Sequence, residues 1–599
     1  MNISNDQTSF QDRPRLYRQW LTLTLALALV ALGATLTRHC ALAYAPNFGS
    51  LHDDAIYAVC AKALASGHGY RILSLPMEPL QTKYPPLVAT ALSSIFRIFP
   101  AFPQNVLCLE TLSCLFGIGF AWGAGAYLMA SRRATSLLAL SVIALTWLNL
   151  QFLSYLPITM ADLPFAAASV LVLAASERAV RSRLLAGGEK KPVSRWIIIA
   201  AAFLVALLTH AMCNFLLAAL IIYFLSLKQY RPLAILLTIS WGIAVPYFLW
   251  ADSHSIKAPP VMAYYTNYVL AAKEVCDHVG GPTAFVFSNL QSGCTEVIDT
   301  LIPAVKELQG TPGQLLLIVI YPLAWLAMVA GVCRELSRRG PTRLVALWLL
   351  VHTAGHLFWP RLAGQRHLLV VLPFAYYFLL TGPRMLGLCL KEPWQGLPHL
   401  LRSVQMSAYQ LASALVAILF TIFLVTGNIV DDLHSAGIYA HRVPPPPNAG
   451  EDYLEAMEFH EAYDWIKAHS MNSDVIVWTN DPATYLWTGR KAIMSCLGEA
   501  WKMITTPWNF ITKEDVLESI RLGHGSYLVI DPISIGGLSA FNQIGAAVEQ
   551  IMSEHPGALT PVFTSHWGLI TIFKINHSRL VSALPDPGSD HRQNPRGPR

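Results

Sequence analysis

Three acidic and three basic residues hold most of the chemistry that this sequence of 599 residues could perform. Asp53 and Asp54 stand together where a helical pattern begins in NFGSLHDDAIYAVCAKALASGHGYRI, and Gly67 and Gly69 close that pattern. A carboxylate pair there either complements the positive end of a helix or accepts a proton in a reaction. Asp162 opens an apolar run in YLPITMADLPF. An acid at the edge of hydrocarbon is costly unless paired or solvated, although it could equally cap the helix from Leu163. Lys83 and Tyr84 precede Pro85 and Pro86 in QTKYPPLVATAL, where the two prolines set an extended entry into a helix and place a cation and a phenol at its mouth. Arg361 and Arg366 lie in FWPRLAGQRHLLVVLPFAYYFLL, and a guanidinium binds phosphate oxygens in pairs. His352 and His356, four apart, and His210, between two short apolar segments, have ligand chemistry but read more readily as packed histidines.

The elements that must position these residues are membrane helices. Hydrophobic residues make up 54% of the chain and charged ones 13%, too oily a balance for a water-facing surface. The formal charge of +6 is modest, and the basic residues sit in short loops rather than on an aromatic-interleaved stripe, so nucleic acid is not expected as a partner. Ten cysteines without CxxC spacing signal neither a disulfide framework nor a zinc site. Apolar runs at 21–36, 105–130, 134–153, 163–176, 196–210, 212–227, 232–250, 314–333, 343–359, 367–381 and 409–427 give about eleven transmembrane helices.

The basic connections are Arg132 with Arg133, the stretch 177–195, Lys228 to Arg231, 334–343, and the segment with Arg384, Lys391 and Arg402. The positive-inside rule places them in the cytoplasm, together with residues 1–19. Residues 39–104, 154–162, 252–313 and everything after about 428 then face outward. Leu87 to Phe99 becomes a short helix lying on or dipping into the outer face, and the helix from Asp53 reads as amphipathic on that same face. Asp53, Asp54, Lys83, Asp162, Arg361 and Arg366 all fall on one side, which invites a single site.

The organisation expected is a transmembrane domain over 20–427, a proline-rich linker over 428–450 containing HRVPPPPNAG, a small extracytoplasmic α/β domain over 451–580 and a disordered tail over 581–599. In that domain EDYLEAMEFHEAYDWIKAHS, KEDVLESIRL and IGAAVEQIMSEH have helical patterns, while DVIVWT, SYLVID and PVFTSHWGLITIFKI resemble strands.

HDDAIYAVCAKALASGHGY, KYPPL, MADLPF and GQRHLLVVLPF, in this order and on one side, resemble the motifs of the GT-C glycosyltransferases, and more narrowly the bacterial branch related to protein O-mannosyltransferases and aminoarabinose transferases. The resemblance covers roughly residues 20–430. It implies a polyprenyl-phosphate sugar donor and a lipid, glycan or protein acceptor at the extracytoplasmic face of a bacterial inner membrane. It also implies Asp53 and Asp162 as the catalytic acids, Asp54 in support, and Arg366 near the donor phosphate. Lys83 and Arg361 are placed to share that phosphate, and Tyr84, Pro85 and Pro86 to support it. One departure is that metal-using aminoarabinose transferases have Glu before Lys-Pro-Pro, whereas Lys83 precedes Tyr84 here. A divalent cation (Mg, Mn or Zn) therefore stays open as a cofactor, with Asp54 or Asp162 as its ligands if one is used. The alternative function is a multi-span transporter or lipid flippase, which would show repeated halves and broken helices meeting at mid-bilayer. Neither is legible in this sequence.

Overall fold

The computed structural model describes residues 47–185 (apart from 50 and 132), 194–255, 280–301, 314–337, 343–356, 366–389, 451–495, 511–531 and 538–580, with isolated positions and one helical turn between them. The expected spans at 21–36 and 409–427, the linker 428–450, the tail 581–599 and Arg361 lie outside the described residues.

The described chain opens with two short helices, α1 (Asp53–Ala65) and α2 (Leu87–Ile98). At about 1.5 Å per residue α2 is roughly 18 Å long, too short to cross a hydrocarbon core of about 30 Å. Its buried residues Val88, Ala89, Leu92 and Phe96 recur at helical spacing, while Ile98 and Phe99 remain exposed. The amphipathic helix of this region is thus α2. α1 corrects the sequence reading, because every residue from Asp54 to Ala61 is buried, together with Ala63. A helix covered all round needs partners on both sides, and α1 has them in α2 and in the α/β unit further along the chain.

The bundle continues with α3 (Val106–Ala130), α4 (Ser136–Trp147), α5 (Leu150–Tyr155), α6 (Asp162–Leu185), α7 (Ser194–Thr209), α8 (Cys213–Ser226) and α9 (Tyr230–Ser255). Then come a single turn α10 (Ala263–Thr266), α11 (Pro282–Leu301), α12 (Gln314–Ser337), α13 (Leu344–His356), a turn α14 (Arg366–Leu369) and α15 (Leu372–Cys389). Three of the described helices, Val106–Ala130, Asp162–Ser182 and Tyr230–Ser255, are long and apolar enough to cross a membrane, and six shorter helices are apolar as well. Leu115, Leu137, Leu171, Ile198 and Leu249 are exposed on outward faces, as lipid contact requires.

Asn149 breaks the run expected at 134–153 into α4 and α5: its Oδ1 accepts from the Phe152 amide, and its Nδ2 donates to the Thr300 carbonyl and the Tyr376 hydroxyl. Helices α12 and α15 pack almost backbone to backbone. A Cβ on Gly382 would stand 1.8 Å from the Ala327 carbonyl oxygen, so only glycine fits there.

Further along the chain come α16 (Glu451–His469), β1 (Val475–Val477), α17 (Asp481–Thr488), β2 (Lys491–Ile493), α18 (Lys513–Gly523), β3 (Tyr527–Ile530), α19 (Leu538–Glu554), β4 (Leu559–Thr564) and β5 (Thr571–Ile575). The sheet order is β2-β1-β3-β5-β4, parallel in its first three strands and antiparallel in the rest. The run PVFTSHWGLITIFKI is therefore a hairpin, turned at Ser565 to Gly568, and β2 is a strand that composition did not announce. This sheet and the segment carrying α1 and α2 share one apolar core, in which Ala55, Ile56 and Val59 of α1 join Trp478, Ala483 and Ile493.

At the other end of the bundle Arg133 is buried between two carboxylates. Its two terminal nitrogens donate to Glu177 on α6 and its Nε donates to Glu335 on α12 at 3.0 Å. Removing one member of a buried ion network leaves unpaired charge, at a cost of about 3–5 kcal/mol. Arg133→Met is expected to lower the thermal midpoint in detergent sharply, whereas Arg181→Met, which loses contacts to the Ala130 and Ser131 carbonyls only, lowers it little. Fluorescence-detected size exclusion after heating measures both.

Candidate active site

Asp53 is the first residue of α1, and two partners hold its carboxylate. Oδ1 accepts from the Tyr84 hydroxyl at 2.6 Å, and Oδ2 is ion-paired with Arg366 Nη2 at 2.9 Å. Tyr84 is itself fixed. Its amide donates to Gln81 Oε1, and its carbonyl accepts from the hydroxyls of Tyr70 and Tyr247. Pro85 and Pro86 then lead directly into α2 at Leu87, with Pro86 at the N-cap. Lys83 Nζ lies 5.1 Å from the centre of the Tyr84 ring.

Burial by itself works to raise the Asp53 carboxyl, but Arg366, Lys83 and the Tyr84 hydroxyl overcome it and hold the group at about 2. Burial pushes the Lys83 ammonium down to about 8, with Arg366 adding to that effect and Asp53 opposing it. The resting site therefore holds a carboxylate locked between two cations.

Asp162 begins α6 and is buried; its Oδ1 lies 3.8 Å from His210 Nε2 and 3.9 Å from His367 Nε2. Arg366 joins this group to Asp53, because it precedes His367 on α14 and its Nη1 stands 3.2 Å from the sulfur of Met160. Tyr155, at the end of α5, lies in the field of Arg366, Asp162 and Asp53. Asp53, Asp162, Lys83, Tyr84 and Arg366 thus gather in one place. Asp54 turns the other way: its Oδ2 accepts from the Gly49 amide and its Oδ1 from the Ala55 amide, each at 2.9 Å, so it ties down the turn before α1.

From sequence His210 reads as a packed histidine, and His367 was not singled out. His210 sits in the three-residue turn between α7 and α8, and only its proximity in space to Asp162 marks it. His367 follows Arg366 directly, which was the available signal. His352 donates to or accepts from nothing catalytic; its Nε2 meets the His367 carbonyl at 2.8 Å, and its ring packs on Trp348 and Phe215.

Asp162, His210 and His367 form a buried set that could hold a metal ion by donor type and spacing. The hydrogen bonding at His210 disagrees with that role. Its Nδ1 accepts from the Met212 amide at 3.0 Å, which leaves the proton of a neutral ring on Nε2, the nitrogen aimed at Asp162. Metal-bound histidines instead donate from the second nitrogen. Asp162 Oδ1 has no hydrogen-bond partner among the described residues, and gaps near 3.8 Å admit a small polar guest. A water or a sugar hydroxyl fits this set better than a cation does.

No family model matches the chain, and no curated protein matches it by sequence. Solved structures do resemble it. The archaeal oligosaccharyltransferase AglB from Archaeoglobus fulgidus, in complex with an inhibitory peptide and a dolichol-phosphate, aligns over 94% of this chain and 75% of its own, at 12% identity and a TM-score of 0.50. ArnT from Cupriavidus metallidurans bound to undecaprenyl phosphate aligns over 92% of this chain and 98% of its own, at 16% identity and a TM-score of 0.46. The arabinofuranosyltransferase AftD from Mycobacteria aligns over 93% of this chain and 40% of its own, at 14% identity and a TM-score of 0.36. The likeness to AglB is one of fold.

The electrostatic coupling within the site is measurable. Because the charge of Asp53 raises Lys83, Asp53→Asn should move the Lys83 midpoint below about 8. Amine labelling of Lys83 followed by mass spectrometry across pH 6 to 10 reads that midpoint; an unchanged or higher value contradicts the coupling.

Proposed function

We propose that this chain is a membrane glycosyltransferase of the GT-C type that moves a sugar from a polyprenyl-phosphate donor to an acceptor hydroxyl at the extracytoplasmic face of a bacterial inner membrane. The observation that carries this reading is the Asp53–Arg366 pair, flanked by Lys83 and Tyr84, beside a second acid in Asp162. The AglB structure of the same fold holds a dolichol-phosphate, a ligand whose phosphate matches the two cations in chemistry.

Transfer needs a proton removed from the acceptor hydroxyl and negative charge stabilised on the departing lipid phosphate. In the resting state Asp53 is too weak a base, since Arg366 and Lys83 hold it at about 2. A donor phosphate competes for both cations. As they turn to its oxygens, Asp53 keeps the Tyr84 hydrogen bond but loses its counter-ions, and its basicity rises. The acceptor oxygen then attacks the sugar's anomeric carbon as its proton passes to Asp53. The bond from that carbon to the phosphate oxygen breaks, and polyprenyl phosphate leaves with the electron pair, neutralised by Arg366 and Lys83. Asp162, with the Nε2–H of His210 beside it, orients a hydroxyl of sugar or acceptor. The site thus makes donor binding the step that arms the base.

Asp53→Asn is expected to reduce kcat by about 100-fold or more in a membrane assay with a polyprenyl-phosphate sugar, the usual scale for a lost general base. Lys83 loses its proton as pH rises through about 8, so transfer should fall on an alkaline limb there, and Lys83→Arg should move that limb above pH 10. Wild-type rates in Asp53→Asn, or a limb that ignores Lys83→Arg, contradict these roles. Because no step uses an ion, transfer should persist within about 2-fold in EDTA; a loss restored by Mg²⁺, Mn²⁺ or Zn²⁺ assigns the Asp162 set to a metal instead.

A further inference from the structure

The residue before Asp53 is held in a conformation that side chains rarely adopt. His52 has φ 61° and ψ −55°, and the Asp53 amide donates to the Leu51 carbonyl at 2.6 Å. Together these make a γ-turn of the rare positive-φ form, a strained arrangement that persists only where its surroundings enforce it. The His52 ring does not cap α1. It reaches instead to the soluble domain, where its Nε2 meets Asp481 Oδ1 at 3.0 Å. The same oxygen accepts from the Tyr265 hydroxyl of α10 at 2.7 Å, and α10 is tied to the loop before Tyr84 by a hydrogen bond from Thr82 Oγ1 to the Thr266 carbonyl.

Asp481 is fully buried and begins α17. Helix α17 grips the turn at two further points: the Trp487 indole donates to the Phe48 carbonyl at 3.1 Å, and a Cβ on Gly49 would come within 2.6 Å of Ala483 Cβ. The location has a topological meaning. β1 connects to β2 on one side and β3 lies on the other, so the chain reverses direction across the carboxyl ends of β1 and β3. Open α/β sheets bind their ligands at that edge. Here the edge presents Asp481, just after β1, and what it receives is the chain's own His52.

We infer that Asp481 is a positioning residue for sugar transfer: by holding His52 in the strained turn it aims the Asp53 carboxylate, and it makes the soluble domain a working part of the membrane active site. The inference rests on the role proposed for Asp53 above. Freed from Asp481, His52 relaxes to a negative φ, the first turn of α1 re-forms around it, and the carboxylate departs from its line with Tyr84 and Arg366.

The test measures kcat and the donor KM separately for full-length protein in detergent. Asp481→Ala should lower kcat by about 100-fold, the scale of a 1 Å misplacement, and leave the donor KM within about 3-fold. Asp481→Asn, which keeps the acceptor oxygen, should stay within about 5-fold of wild type. His52→Ala should lower kcat to a similar extent, and the double variant should be no slower than Asp481→Ala, which already lacks the His52 contact and also loses the one to Tyr265. A kcat for Asp481→Ala within 3-fold of wild type, or single losses that multiply in the double variant, overturns the inference. Hydrogen exchange at the Asp53 and Ile56 amides is read in parallel and does not depend on transfer: faster exchange in Asp481→Ala supports the hold on the turn, and unchanged exchange overturns it. Should Asp53→Asn transfer at the wild-type rate, the base assignment fails while the exchange result still decides what Asp481 does.

Discussion

The ion pair between Asp53 and Arg366 joins residues 313 positions apart, and the segments around them are arranged so that it can form. Both side chains are only slightly exposed, so either charge is costly there without its partner. The pair therefore obliges the start of α1, the Tyr-Pro-Pro entry to α2 and the turn α14 to meet. In the proposed reaction it would also keep Asp53 quiet until the donor phosphate arrives, since a carboxylate held at about 2 takes no proton from a hydroxyl. Stability of the resting site and the trigger for its chemistry are one interaction.

The residues of this site were legible to the extent that their chemistry was expensive where they stood. An acid at the mouth of an apolar run and an arginine on the outer side both need an explanation, and Asp162 and Arg366 announce themselves for that reason. His210 and His367 are uncharged when neutral and sit comfortably in apolar sequence, so His210 reads as a packed histidine and His367 was passed over. Asp54 was the opposite case. Its adjacency to Asp53 suggested a shared task, but successive side chains on a helix diverge by about 100°, and the second carboxylate is spent on the Gly49 and Ala55 amides.

The fold was legible in its periodicities and illegible wherever a distant segment overrode them. Helical and alternating patterns marked the α/β character of the tail, and the apolar runs marked the bundle. The break at Asn149 was invisible because its partners, Thr300 and Tyr376, lie on other helices. The burial of α1 was misjudged for a similar reason: its second covering surface is α17, encoded more than four hundred positions later. The strained turn at His52 has the same origin, since a positive φ at a histidine cannot be read without Asp481.

That separation sets an order of events during synthesis. About 430 residues lie between Asp53 and Asp481, and at a chain growth of about 5–20 residues per second the first outer loop waits on the order of 20–90 s for the domain that completes its core. Through that interval the apolar flank of α1 has no covering partner and His52 has nothing to hold it. Under the roles proposed above, the reactive geometry is completed only once α17 has been made, so a chain truncated before Asp481 should be inert.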